Sequence, residues 1–191
     1  MRSGPIWIVG YGNSLRGDDG VGREVAAALL QQKNSVGGLA SATITCAHQL
    51  LPEMALDISR SRFAVFIDAA HDGRPGGSVS LRLFAELAEP GQGQPVAASC
   101  WEDFTPANLL VLSRWLFGTA PGGAVVTVGV VALGLGTGLS PLVQAAIPRA
   151  AAAVRLAISV VPERPNFLLQ SSLSRRSGYM PAPHVRGASR A

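Results

Sequence analysis

Between Ile6 and Gly22 the chain reads IWIVGYGNSLRGDDGVG, and few folds accommodate that order of residues. Ile6, Trp7, Ile8 and Val9 are apolar at every position, the pattern of a strand buried on both faces in a parallel sheet. Gly10, Gly12, Asn13 and Gly17 then crowd a turn with residues that tolerate positive φ or let backbone pass close to other groups. Asp18 and Asp19 follow, directly ahead of Val21, Val25, Ala28 and Leu29 at helical spacing. The order is strand, glycine turn, paired carboxylates, helix, with the helix expected from Asp19 to about Gln32. Either aspartate would serve as an ordinary helix cap. That accounts for one of the pair and not for the second, nor for so many flexible residues in one loop.

A glycine turn between strand and helix often serves a nucleotide, and here the residues argue against one. Gly10 and Gly12 match the start of the dinucleotide fingerprint, but Leu15 stands at its third glycine and no acidic residue closes the next apolar run at Cys46-Ala47-His48. A pyrophosphate would rest on the first helical amides, where this chain puts two carboxylates that repel it. A phosphate loop is excluded because no Gly-Lys-Ser/Thr follows. The turn favours a cation.

Further along, Thr43 to Cys46 reads as a strand, Pro52 and Glu53 start a short helix through Ser59, and Phe63 to Ile67 form another fully apolar strand. That strand closes on Asp68. In an open parallel sheet the carboxyl ends of the strands line the ligand crevice, so Asp68 is expected to meet the Asp18-Asp19 pair there. Ser78 to Phe84 alternates in polarity, which places it near a sheet edge, and Thr105-Pro106 caps a helix with Leu109, Leu112 and Leu116 on one face. Val125 to Leu133 is the last strand, and Ser140-Pro141 opens a final helix that Pro148 is expected to kink. Together these elements predict an α/β three-layer sandwich: a mostly parallel central sheet with helices on both faces.

With 191 residues and 48% hydrophobic content the chain suffices for one domain with a sizeable core, expected over residues 1–161. Residues 162–191 are rich in Pro, Ser and Arg and lack an apolar period, and they are expected to form a flexible tail. Much of the formal charge of +4 and the pI near 9.8 comes from that tail. No basic stripe with interleaved aromatics runs through the remainder, so a nucleic-acid partner is not expected. Neither a membrane span nor a signal peptide is indicated, and Cys46 and Cys100 lack metal or redox spacing; a reducing, cytoplasmic setting is expected.

The run GNSLRGDDGVG on an N-terminal strand resembles the opening motif of the hydrogenase maturation endopeptidases, which trim the C-terminal extension from the nickel-containing large subunit of [NiFe] hydrogenases. HQLLPEMALDISRSRFAVFIDA, from His48 to Ala69, is similar to that family's second block, and GLSPLVQAAIPRAAAAV to its C-terminal helix. The resemblance implies a peptidase whose partner is a hydrogenase large-subunit precursor and whose nickel is presented by that precursor, with no organic cofactor. It implies Asp19 and Asp68 as catalytic residues that also face the metal. The family's third ligand is a His ahead of a Pro-containing helix start. Here SCWEDFTPANLL has none, and Glu102 stands at the best-matching position beside Asp103. The metal set the resemblance implies is therefore Asp19, Asp68 and Glu102, with His48, His71 and Cys100 as other donors from nearby loops. An all-carboxylate set suits harder cations than nickel, which imidazole would favour. Two other readings stay open: a relative that binds a precursor or accessory protein without cutting it, and a metal-dependent hydrolase of another substrate.

Overall fold

Apolar strands that alternate between two buried faces need helices on both sides, and the chain supplies them. A computed structural model describes residues 4–34, 39–84, 104–136 and 138–160. Five strands, β1 (Ile6–Tyr11), β2 (Thr43–Ala47), β3 (Phe63–Ala70), β4 (Val79–Phe84) and β5 (Gly123–Gly129), form one sheet in the order β2-β1-β3-β5-β4. All neighbours are parallel except the edge strand β4, which runs antiparallel to β5. Among the described residues five helices, α1 (Val21–Gln32), α2 (Met54–Arg60), α3 (Pro106–Phe117), α4 (Pro141–Gln144) and α5 (Ile147–Ser159), surround it.

Side chains alternate across the sheet and divide the core in two. Ile6, Ile8, Val65, Ile67, Val126 and Val128 meet Val25 and Leu29 of α1 and Val154 and Ala157 of α5. Trp7, Val9, Ala64 and Phe66 meet Met54 and Ile58 of α2 and Leu109 and Leu112 of α3. Burial of each large apolar side chain contributes about 1.5–3 kcal/mol, so both layers are needed to hold a sheet buried on two faces. The expected three-layer architecture is the observed one.

Local details differ from the sequence expectations for identifiable reasons. Helix α1 begins at Val21, behind a single 3₁₀ turn at Gly17–Gly20, and neither Asp18 nor Asp19 caps it. Strand β5 ends at Gly129, and the residues beyond it leave the sheet to bind the first loop. Pro148 does not kink a continuous helix. The helix stops at Gln144 and restarts at Ile147, so the proline occupies the first turn of α5, where its missing amide needs no partner. Leu116 faces solvent while Leu110 joins the core. The stretch Pro141–Ser159 is long and apolar enough by composition to cross a membrane; here its apolar side lies against α1 and the sheet. Residues from 161 onward, including the expected tail, lie outside the described residues.

Glycine brings α1 unusually close to the strands it crosses. A Cβ on Gly22 would lie 2.4 Å from the carbonyl oxygens of both Ile67 and Tyr11, and one on Gly10 would lie 1.9 Å from the Gly22 carbonyl oxygen. The start of α1 thus rests directly over the carboxyl ends of β1 and β3. Gly22→Ala is expected to cost about 3 kcal/mol or more, because backbone rather than a movable side chain is struck. Gly134→Ala, with open space at its Cβ, is expected to stay within about 0.5 kcal/mol in urea denaturation.

Candidate functional site

In the order β2-β1-β3, strand β1 sends the chain to one side first and to the other later, so a crevice opens at the carboxyl ends of β1 and β3. The 3₁₀ turn that precedes α1 borders this crevice, as does the loop between β5 and α4. These two loops pair through their backbones: the Asp18 amide donates to the Ala132 carbonyl at 2.9 Å, and the Gly136 amide to the Leu15 carbonyl at 3.0 Å.

The adjacent aspartates have opposite environments. Asp18 is fully buried, with 0% exposure. Its Oδ2 accepts from the Val131 amide at 3.0 Å, the Ala132 amide at 2.9 Å and the Ser140 hydroxyl at 3.0 Å, and its Oδ1 accepts from the Ser140 amide at 2.6 Å. Burial alone would push this carboxyl upward, but the three amides and the hydroxyl stabilise the anion more, and its pKa falls below the ordinary value. Asp18 is therefore a structural anchor, not one of the carboxylates the crevice presents, which corrects the expectation that the pair converges with Asp68. Asp19 is partly exposed and accepts from the Asn13 amide through Oδ2 at 2.8 Å. Asn13 in turn closes the loop, with its Oδ1 accepting from the Leu15 amide at 2.9 Å.

Asp68 is the sixth residue of β3 and lies on the α2/α3 side of the sheet, in line with Ala64 and Phe66. Its Oδ2 accepts from the Tyr11 hydroxyl at 2.6 Å and its Oδ1 from the Ala69 amide at 2.8 Å. Burial pushes its pKa up. The phenol and the amide pull it down, and the nearby Asp19 charge raises it again, leaving the carboxyl above its ordinary value. The Tyr11 phenol is pushed far up by burial and by the Asp68 charge. Across β5, Thr127 stands in register with Asp68, and its hydroxyl accepts from Arg74 at 2.9 Å.

Asp19 and Asp68 thus come from different elements to lie near enough for the charge of one to act on the other. His48 and His71 are exposed, just past the ends of β2 and β3, and Cys46 is an exposed free thiol. Among the described residues no three His, Cys, Asp or Glu side chains gather as a metal-binding group. Glu102, Asp103 and Cys100 lie outside the described residues. Sequence reasoning passed over Tyr11, although its position at the end of an otherwise apolar strand, between two glycines, marks a polar group at the crevice.

No family model and no curated protein sequence matches the chain. Solved structures do. The hydrogenase maturating endopeptidase HybD from E. coli superimposes with a TM-score of 0.60 at 21% identity, covering 81% of this chain and 92% of its own. A hydrogenase 2 maturation peptidase from a Thaumarchaeota archaeon gives 0.57 at 20% identity, over 81% and 98%. The [NiFe] hydrogenase maturation protease HycI from Thermococcus kodakarensis gives 0.54 at 21% identity, over 81% and 92%. The fold is that of the hydrogenase maturation endopeptidases. In this fold Asp68, near the carboxyl end of β3, and the turn that carries Asp19 lie by the switch point of the sheet.

Buried Asp18 and half-buried Asp68 predict opposite effects on stability. Asp18 has a lowered folded pKa, so its contribution is complete above the ordinary carboxylate value of 3.8 and is lost as pH falls through the lower folded value. Asp18→Asn places an amide group against other donors and is expected to cost about 2–4 kcal/mol at neutral pH. Asp68 has a raised folded pKa, so its ionisation disfavours the folded state as pH rises from 3.8 through the higher folded value. Asp68→Asn is expected to leave neutral-pH stability unchanged or increased. Thermal denaturation of both variants at pH 7 and pH 4 checks the contrast.

Proposed function

We propose that the protein is an endopeptidase that removes the C-terminal extension of a nickel-loaded [NiFe] hydrogenase large-subunit precursor. The observation that carries this reading is the pair of carboxylates, Asp19 and Asp68, facing one crevice on a fold shared with hydrogenase maturation endopeptidases. The motif GNSLRGDDGVG, which supplies Asp19 and its turn, supports the same reading.

In this proposal the nickel belongs to the precursor and is part of the substrate. Asp19 and Asp68 supply it with two hard oxygen donors, and water or ligands carried by the precursor fill its remaining positions. Glu102 is the proposed third contributor. Holding the nickel centre and the adjacent chain together orients the scissile carbonyl towards water. One carboxylate accepts the proton of the attacking water and returns it to the departing amide nitrogen. The raised pKa of Asp68 suits it to that role, because a base is most effective when its pKa approaches the working pH. Asp18 contributes by holding the loop that carries Asp19.

Mass spectrometry of a nickel-loaded precursor incubated with the protein tests the reading. Wild type is expected to release one discrete C-terminal peptide, and Asp19→Ala and Asp68→Ala to slow release by roughly 100-fold or more. Glu102→Ala reports whether the third position takes part. Binding of a cognate precursor without cleavage by the wild type would overturn the protease reading in favour of a non-catalytic relative.

A further inference from the structure

Tyr11 and Asp68 are the residues one step beyond Gly10 and Ile67, the last register pair between β1 and β3. Both point to the α2/α3 side, because Tyr11 continues the alternation of Trp7 and Val9, and Asp68 that of Ala64 and Phe66. The Tyr11 ring packs against the core on this side, so the hydroxyl projects from a ring that is itself held. Its hydrogen bond to Asp68 Oδ2, at 2.6 Å, is in the short range of O–H donors to carboxylates. The Ala69 amide takes the other oxygen at 2.8 Å. The carboxylate is therefore gripped at both oxygens, by two neutral donors.

The choice of a neutral donor is informative. A Lys or Arg at this point would orient Asp68 equally well but would neutralise it and repel a cation. An aliphatic or Phe side chain would leave Oδ2 free to rotate. A phenol fixes the group and leaves its negative charge intact. Each oxygen accepts one hydrogen bond and retains lone-pair capacity for a further partner.

We propose that Tyr11 is a positioning residue that holds Asp68 in the orientation with which it takes a divalent cation in the crevice beside Asp19. The proposal rests on the reading of Asp68 as a cation-facing residue and assigns the group that prepares it. Tyr11 touches neither the cation nor the peptide; it acts through Asp68, as hydrogen-bond partners of metal ligands commonly do.

The test is a titration of the full chain with Ni²⁺ alone, followed by paramagnetic broadening of the Asn13 and Ala69 amide resonances. Wild type, Tyr11→Phe, Asp68→Asn and the double variant are compared, with thermal denaturation confirming that each is folded. Tyr11→Phe keeps the packed ring and removes only the hydroxyl. It is expected to weaken Ni²⁺ binding about tenfold or more in the wild-type background. It should have no further effect once Asp68 is Asn. 3-Fluorotyrosine at position 11, which retains the O–H donor, is expected to bind as the wild type does. If Asp68→Asn weakens binding and Tyr11→Phe does not, the role of Tyr11 is overturned while that of Asp68 stands. Equal losses on removing the hydroxyl in both backgrounds would assign Tyr11 a purely structural role and also overturn it. No Ni²⁺ binding by the wild type, or binding indifferent to Asp68→Asn, would overturn the positioning role together with the cation-facing reading of Asp68.

Discussion

A carboxylate taken fully out of water must be compensated by the protein, and Asp18 is compensated entirely by dipoles. Its two oxygens accept four hydrogen bonds, three from backbone amides and one from the Ser140 hydroxyl. All four donors come from the segment between β5 and α4, so satisfying one side chain locks two loops that are remote in the chain. An unpaired buried carboxylate would cost several kcal/mol, and that cost makes the alternative loop arrangements inaccessible. The placement of Asp19 follows from this, because a residue bonded to an immobilised neighbour has little freedom of its own.

Neighbouring aspartates therefore divide two tasks that a single carboxylate cannot perform. Asp18 accepts four hydrogen bonds and is fully buried, so no ligand reaches it. Asp19 accepts the Asn13 amide and stays partly exposed at the crevice. Asp68, on the neighbouring strand, is the opposite of Asp18 in energetic terms. Its burial is compensated by only two donors, and its pKa rises where that of Asp18 falls. A group held at some expense of stability, at the carboxyl end of a sheet, is what a reactive or ion-binding position requires. The close packing of Gly22 over the backbone of β1 and β3 contributes by placing the helix, and the turn ahead of it, directly above that end.

Much of the architecture was legible in the residues. The uniformly apolar runs Ile6-Val9 and Phe63-Ile67 announced strands buried on both faces, and the alternating run before Phe84 announced an edge; both patterns arise from side-chain alternation within one strand. Thr105 was legible as a cap for the same local reason, and its hydroxyl accepts from the Asn108 amide at 3.2 Å. The local positions of Asp68, near the end of an apolar strand, and of Asp19, in the turn ahead of a helix, were legible from their neighbours. What misled was equally local in origin. The end of β5 was read too late because Val130, Val131 and Leu133 continue an apolar pattern, while the Val131 and Ala132 amides within that run are recruited by Asp18. Pro148 was read as a kink because nothing nearby in the sequence shows that a new helix starts at Ile147.

The sequence by itself determined the alternation of strands and helices, the glycine turn with its two aspartates and the aspartate that closes an apolar strand, since each depends on residues within a few positions of one another. Which aspartate would be buried and which would face the crevice was decided only by the tertiary structure. The donors that claim Asp18 stand 113 to 122 residues further along the chain, and the hydroxyl that holds Asp68 comes from Tyr11, 57 residues before it. Two adjacent aspartates are chemically identical in the sequence. They become different only when folding removes water from one of them and brings remote backbone amides to replace it.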